Sequence, residues 1–116
     1  MLSGRRASRV GEQILKELAF SLLEKVNDPR VGTVTLTGIQ LSNDLKQAKI
    51  YYSVMGEQDQ IAKAGEGLES AKGFIKREVG HRLKLRYVPE MRFIHDPSLA
   101  FGSHMEKVLD EIADDE

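Results

Sequence analysis

The chain has 116 residues, with 17 Lys+Arg against 18 Asp+Glu, no Cys, no Trp and 41% hydrophobic residues. That length suits one domain burying roughly two-thirds of its unfolded surface, and a composition 30% charged and 6% aromatic describes a compact, polar one. The lack of cysteine excludes disulfides, thiolate metal sites and a Cys nucleophile and fits a reducing, cytoplasmic setting, and no apolar run approaches the ~20 residues of a membrane span.

The formal net charge of −1 conceals an asymmetry. Residues 103–116 carry six carboxylates and one Lys, so the 102 residues before them hold 16 cations against 12 carboxylates. Arg5, Arg6 and Arg9 open the chain with no acid among the first ten residues, and the basic start leads into an amphipathic pattern rather than an apolar signal core. Residues 72–92 hold Lys72, Lys76, Arg77, Arg82, Lys84, Arg86 and Arg92 against Glu78 and Glu90. Two basic blocks and an acidic end suit a polyanionic partner without requiring one.

Val10, Ile14, Leu18, Leu22 and Val26 recur at helical spacing and predict an amphipathic helix from about residue 8 to 26, stopped by Asn27-Asp28-Pro29. Phe20 falls on its more polar side. Thr33–Leu41 and Ala48–Met55 alternate polar and apolar residues and are rich in β-branched types, with Ser42-Asn43-Asp44 as turn chemistry between them. An antiparallel hairpin follows, with Gly38 marking a bulge or a close backbone approach.

Two helical stretches are expected next, Asp59–Ser70 and Phe74–Leu85, parted by Ala71-Lys72-Gly73. Gly65 and Gly67 weaken the first by ~1 kcal/mol each relative to Ala. Val88-Pro89 closes the second and leads into a short strand, Met91–His95. A weaker helical pattern (Met105, Val108, Leu109, Ile112) fades into the acidic end. The order helix–strand–strand–helix–helix–strand predicts an α+β fold with a three-stranded mixed sheet and helices on one face.

With Ile75 at the centre of the buried face, Lys76, Arg77, Gly80, His81 and Lys84 fall on the opposite arc. Gly80 there would let a phosphate backbone come close and the cations would neutralise it; the plainer reading is a solvated helix face. Arg82 and Arg86 point elsewhere. Tyr51 and Tyr52 must face opposite sides of a strand, so core packing explains them better than bases stacked on a sheet. His81, His95 and His104 lack metal-ligand spacing, and His95-Asp96 with Ser98 is ordinary turn chemistry. No phosphate loop is present, so the residues predict no enzyme, cofactor or metal site.

The stretch Ser70-Ala71-Lys72-Gly73-Phe74-Ile75 between the later helices carries a resemblance. With it come Arg9-Val10, Asp28-Pro29-Arg30-Val31-Gly32, Asp44-Leu45, Ala48-Lys49-Ile50-Tyr51, Leu83-Lys84-Leu85-Arg86-Tyr87-Val88-Pro89-Glu90 and Asp96-Pro97-Ser98-Leu99. No single motif is strong, but this ordered set, over about residues 5–105, resembles the ribosome-binding factor A family of bacterial small-subunit assembly factors.

The resemblance implies a type II KH-like fold over 1–102 and an acidic tail over 103–116, partly helical or mobile. Ala71 and Gly73 would form an interhelical kink in place of the Gly-x-x-Gly loop with which KH domains grip single strands. The implied activity is binding to the free small (30S) ribosomal subunit and its 16S rRNA. The implied role is support of late maturation, including processing of the 5′ end of that RNA, and cold adaptation. The protein would be a cytoplasmic monomer without cofactor or membrane contact, with other assembly factors as further partners. The RNA-binding set is expected to be Arg5, Arg6, Arg9, Lys72, Lys76, Arg77, Lys84 and Arg86. A general single-stranded RNA-binding module and a protein-interaction domain using Phe20 and the tail remain alternatives.

Overall fold

Helix α1 runs Arg5–Glu24 in the computed structural model, which describes residues 5–97 of the chain. A 3-10 turn, Pro29–Val31, follows, capped by the Asp28 carboxylate, which accepts from the Arg30 backbone N–H at 2.9 Å. Strands β1 (Val34–Leu41) and β2 (Gln47–Val54) form the expected hairpin, helix α2 spans Gln58–Arg82, and β3 (Glu90–His95) pairs parallel to β2. The sheet order is β1-β2-β3, a three-stranded mixed sheet. The predicted acidic tail lies outside the described residues.

Alternation along the strands separates two faces. Ala48, Ile50, Tyr52 and Val54 of β2 are buried toward the helices, with Leu41 and Met91 from the neighbouring strands. Ile14 and Leu18 of α1 and Ile75 and Val79 of α2 complete that core from above. A smaller cluster of Val31, Tyr52, Val54, Ala64 and Leu68 seals the other end. The strand register shifts between Leu36 and Gly38, at the expected bulge: Leu36 pairs with Tyr52 and Gly38 with Tyr51. The shift restores Ile39 and Leu41 to the core side.

The KH-like order stands, with its two later helical stretches appearing as one helix. Ala71-Lys72-Gly73 lies inside α2 rather than between two helices. The physical reason is an apolar stripe that runs without a break. Ala64 and Leu68 are fully buried in the smaller cluster and Ile75 and Val79 in the main core, against which Ala71, between the two pairs, also packs. Burial of that stripe outweighs the ~1 kcal/mol that each helix-interior glycine costs.

Gly67 and Gly80 have a packing reason. A methyl group on Gly67 would stand 2.9 Å from Val31 Cγ1, and one on Gly80 2.6 Å from Val88 Cγ2. Gly80 is therefore filled by the chain's own valine, which corrects its reading as a point of phosphate approach.

Candidate nucleic-acid interface

Helix α2 ends in a Schellman motif. The Leu85 N–H donates to the Gly80 carbonyl at 3.0 Å and the Lys84 N–H to the His81 carbonyl at 3.3 Å. This geometry puts Lys84 in the left-handed region, φ 54°, the position where glycine is usual. Leaving a lysine there costs of the order of 1 kcal/mol. The side chain is exposed and meets no carboxylate among the described residues. Leu45, in the hairpin loop, shares that conformation at φ 63°.

Arg77, seven residues earlier on α2, is likewise exposed and without an acidic partner among the described residues. Lys76 differs. It lies 100° from the buried Ile75, on the flank that meets β3, and its Nζ sits 3.1 Å from Glu90 Oε2 with the side chain 28% exposed. Lys72 occupies the same flank, 2.8 Å from Glu69 and 5.8 Å from the Phe93 ring centroid. Arg86 is exposed in the segment after α2, its guanidinium 5.7 Å from the Tyr87 ring.

The first basic block is separate. Arg5, Arg6 and Arg9 are exposed on the opening turns of α1, where among the described residues no carboxylate accompanies them. Cations at a helix N-terminus oppose the macrodipole, so these arginines weaken the helix that carries them. Helix α1 meets the end of α2 through Glu17, which accepts from Arg82 Nε at 2.6 Å. Arg9 is eight residues upstream, about 12 Å along the axis. The eight predicted residues thus fall into the start of α1 (Arg5, Arg6, Arg9), two exposed cations on and just after α2 (Arg77, Lys84), a flank (Lys72, Lys76) and Arg86.

Among the aromatics, Tyr52 is buried, edge-on to His95 with ring centroids 5.6 Å apart, and its hydroxyl is pushed up from its ordinary pKa by burial and then by Glu69. Phe20, 41% exposed on α1, is covered in part by the Arg82 guanidinium 5.1 Å from its centroid. Lys49 and Arg92 on the strands were not among the predicted residues; the fold sets them at paired positions of β2 and β3. Among the described residues no group of three or more His, Asp or Glu is arranged to hold a metal, and no helix is long and apolar enough to cross a membrane.

Fold and surface together define a KH-like α+β domain that presents cations on rigid elements. A model of the family described as "Ribosome-binding factor A" matches residues 6–109. The Ribosome-binding factor A of Staphylococcus carnosus is 45% identical over 111 residues, 96% of each chain. The chain belongs to the ribosome-binding factor A family. Its fold is similar to the crystal structure of ribosome-binding factor A from Thermus thermophilus, with a TM-score of 0.67, 21% identity, and 77% of this chain and 94% of that one covered. It is also similar to a homology model of the Thermus thermophilus factor as fitted into a cryo-EM map of a 30S complex with that factor. The TM-score there is 0.64 at 22% identity, covering 76% of this chain and 92% of that one.

Proposed function

We propose that this chain is a ribosome-binding assembly factor that binds the free small ribosomal subunit in the cytoplasm and supports its late maturation. That role includes processing of the 5′ end of 16S rRNA and activity in the cold. Family membership over residues 6–109 supports it, as does a structural neighbour fitted into a map of a 30S complex. The observation that carries the reading on this chain is Lys84, a solvent-facing cation kept in a left-handed backbone position. Arg77 and Lys84 contact rRNA phosphates from α2, and Arg5, Arg6 and Arg9 from α1. Lys72, Lys76 and Arg86 add charge from inside local contacts. Ala71 and Gly73, small residues at the middle of α2, let that helix flex.

The protein performs no chemistry and acts as a monomer. It stabilises one conformation of an immature subunit by binding that conformation better than its alternative. A KH-type clamp on single strands is disfavoured because Ala71-Lys72-Gly73 is helical and offers no loop. A protein contact through α1 is the second reading, favoured by Leu23, 80% exposed near Phe20.

Co-sedimentation with purified small subunits across a salt series tests this. Wild type is expected to migrate with free small subunits and to be lost as salt rises. Arg77→Glu weakens binding with the fold intact, and Lys84→Gly weakens binding while raising thermal stability. Absence from every ribosomal fraction at low salt overturns the proposal, and binding indifferent to salt selects the apolar contact instead.

A further inference from the structure

We infer that the face of the sheet turned away from the helices is a second site for the phosphate backbone of ribosomal RNA, with Lys49 and Arg92 as its phosphate-contacting side chains. The inference rests on the proposed binding to the small subunit and adds a second contact surface to it.

Lys49 of β2 and Arg92 of β3 are register partners on adjacent strands, both exposed and both on the side opposite the core. Adjacent strands lie about 4.8 Å apart. Two like charges at neighbouring positions destabilise a sheet. Neither has an acidic partner within ion-pair distance among the described residues.

The carboxylates nearby are engaged elsewhere. Glu90, two residues before Arg92 on the edge strand, is bound by Lys76 of α2, which draws it around the sheet edge toward the helical layer. Asp96 accepts from the Thr37 hydroxyl at 3.3 Å, at the other end of β3. Asp44 in the hairpin loop accepts from the Ser42 hydroxyl and the Lys46 N–H. The repulsive pair is therefore left for a ligand to neutralise.

The adjoining row suits a nucleotide chain better than an acidic peptide. Tyr51, two residues after Lys49 on the same face, lies between Gly38 of β1 and Ile94 of β3. A methyl group on Gly38 would meet nothing within 4 Å, so bare backbone borders the half-buried phenol ring. Cations for phosphates and, one row on, an aromatic ring beside open backbone for a base or ribose are the elements of backbone-tracking RNA contacts. The helical layer on the other side of the sheet presents Arg77 and Lys84, so two RNA segments can meet the two sides of the domain.

Lys49→Glu separates the readings. It turns a repulsive neighbour of Arg92 into an attractive one, so the melting temperature holds or rises. Affinity for purified small subunits nonetheless falls about tenfold at low salt, and the log–log salt slope drops by about one to two. Lys49→Gln, which removes the charge without reversing it, lowers the slope by about one and serves if the first variant misfolds. Unchanged affinity and slope in folded variants, with Arg77→Glu still impaired, overturn this inference and leave the proposed function standing. Tighter binding by Lys49→Glu also overturns it, because the face would then be covered by carboxylates of a protein segment that the substitution expels. Wild type that fails to bind small subunits at any salt overturns both.

Discussion

Val88 stands over Gly80: its Cγ2 is 2.6 Å from the place a methyl group on that glycine would take. The segment that returns from α2 to β3 is thereby pressed against the helix, one turn before the Schellman cap that carries Lys84. Gly80→Ala gains about 1 kcal/mol of helix propensity but forces a stiff, β-branched neighbour out of place, an overpacking that costs about 1–3 kcal/mol. The expected outcome is a net loss of about 1 kcal/mol in urea unfolding with an unchanged m-value.

Gly73 is the contrasting case. It is exposed in the middle of α2, and the nearest atom to an added methyl group is Arg77 Nη1 at 3.9 Å. Gly73→Ala should stabilise the protein by up to about 1 kcal/mol, read as a rise in melting temperature. If the helix must bend there to seat on the subunit, affinity falls as stability rises; equal affinity removes flexure from the mechanism.

Ser21 is fully buried in α1, and its hydroxyl has no hydrogen-bond partner among the described residues. An unsatisfied buried hydroxyl costs about 1–3 kcal/mol, and alanine is also the better helix former. Ser21→Ala is expected to stabilise by about 1–2 kcal/mol in thermal unfolding. A destabilised variant would mean that the hydroxyl finds a partner in solution.

Asp28 is held below its ordinary pKa of 3.8, first by the Arg30 side chain, whose Nη2 lies 2.7 Å away, and then by the Arg30 backbone N–H. Asp44 is lowered too, by the Ser42 hydroxyl and the Lys46 N–H. A carboxylate depressed in the folded state contributes stability above its unfolded pKa and loses it as pH falls through the folded value. Neither group therefore changes stability between about pH 7 and 5, and their contribution is lost progressively below about pH 4, as pH falls through the lowered folded values. Asp28→Asn should lower the melting temperature at about pH 7 and flatten its decline in acid.

The hairpin, the bulge at Gly38 and the two amphipathic helical regions were legible because each is written in a local period: two for the strands, 3.6 for the helices. The candidate site was legible only in part. Arg77 kept the outward position its spacing predicts; Lys84 is exposed too, but α2 ends at Arg82 and helical spacing does not reach it. Lys76 did not, because a residue 100° from the centre of a buried face falls on a flank, and Glu90 waits there on β3. Lys49 and Arg92 are separated by 43 positions in the chain, and nothing local to either announces the other.

The sequence by itself determined the element types, their order and the family, since periodicity, turn residues and an ordered set of short motifs are properties of neighbouring residues. Tertiary structure decided what those properties leave open. It joined two helical stretches into one by burying a single stripe through Ala71. It showed Gly67 and Gly80 to be places where Val31 and Val88 come close. It also sorted cations tied by distant carboxylates, as Arg82 is by Glu17, from cations facing solvent. The reason is range: a charge is neutralised, and a glycine filled, by whatever the fold brings within a few ångströms, and that neighbour is often tens of residues away along the chain.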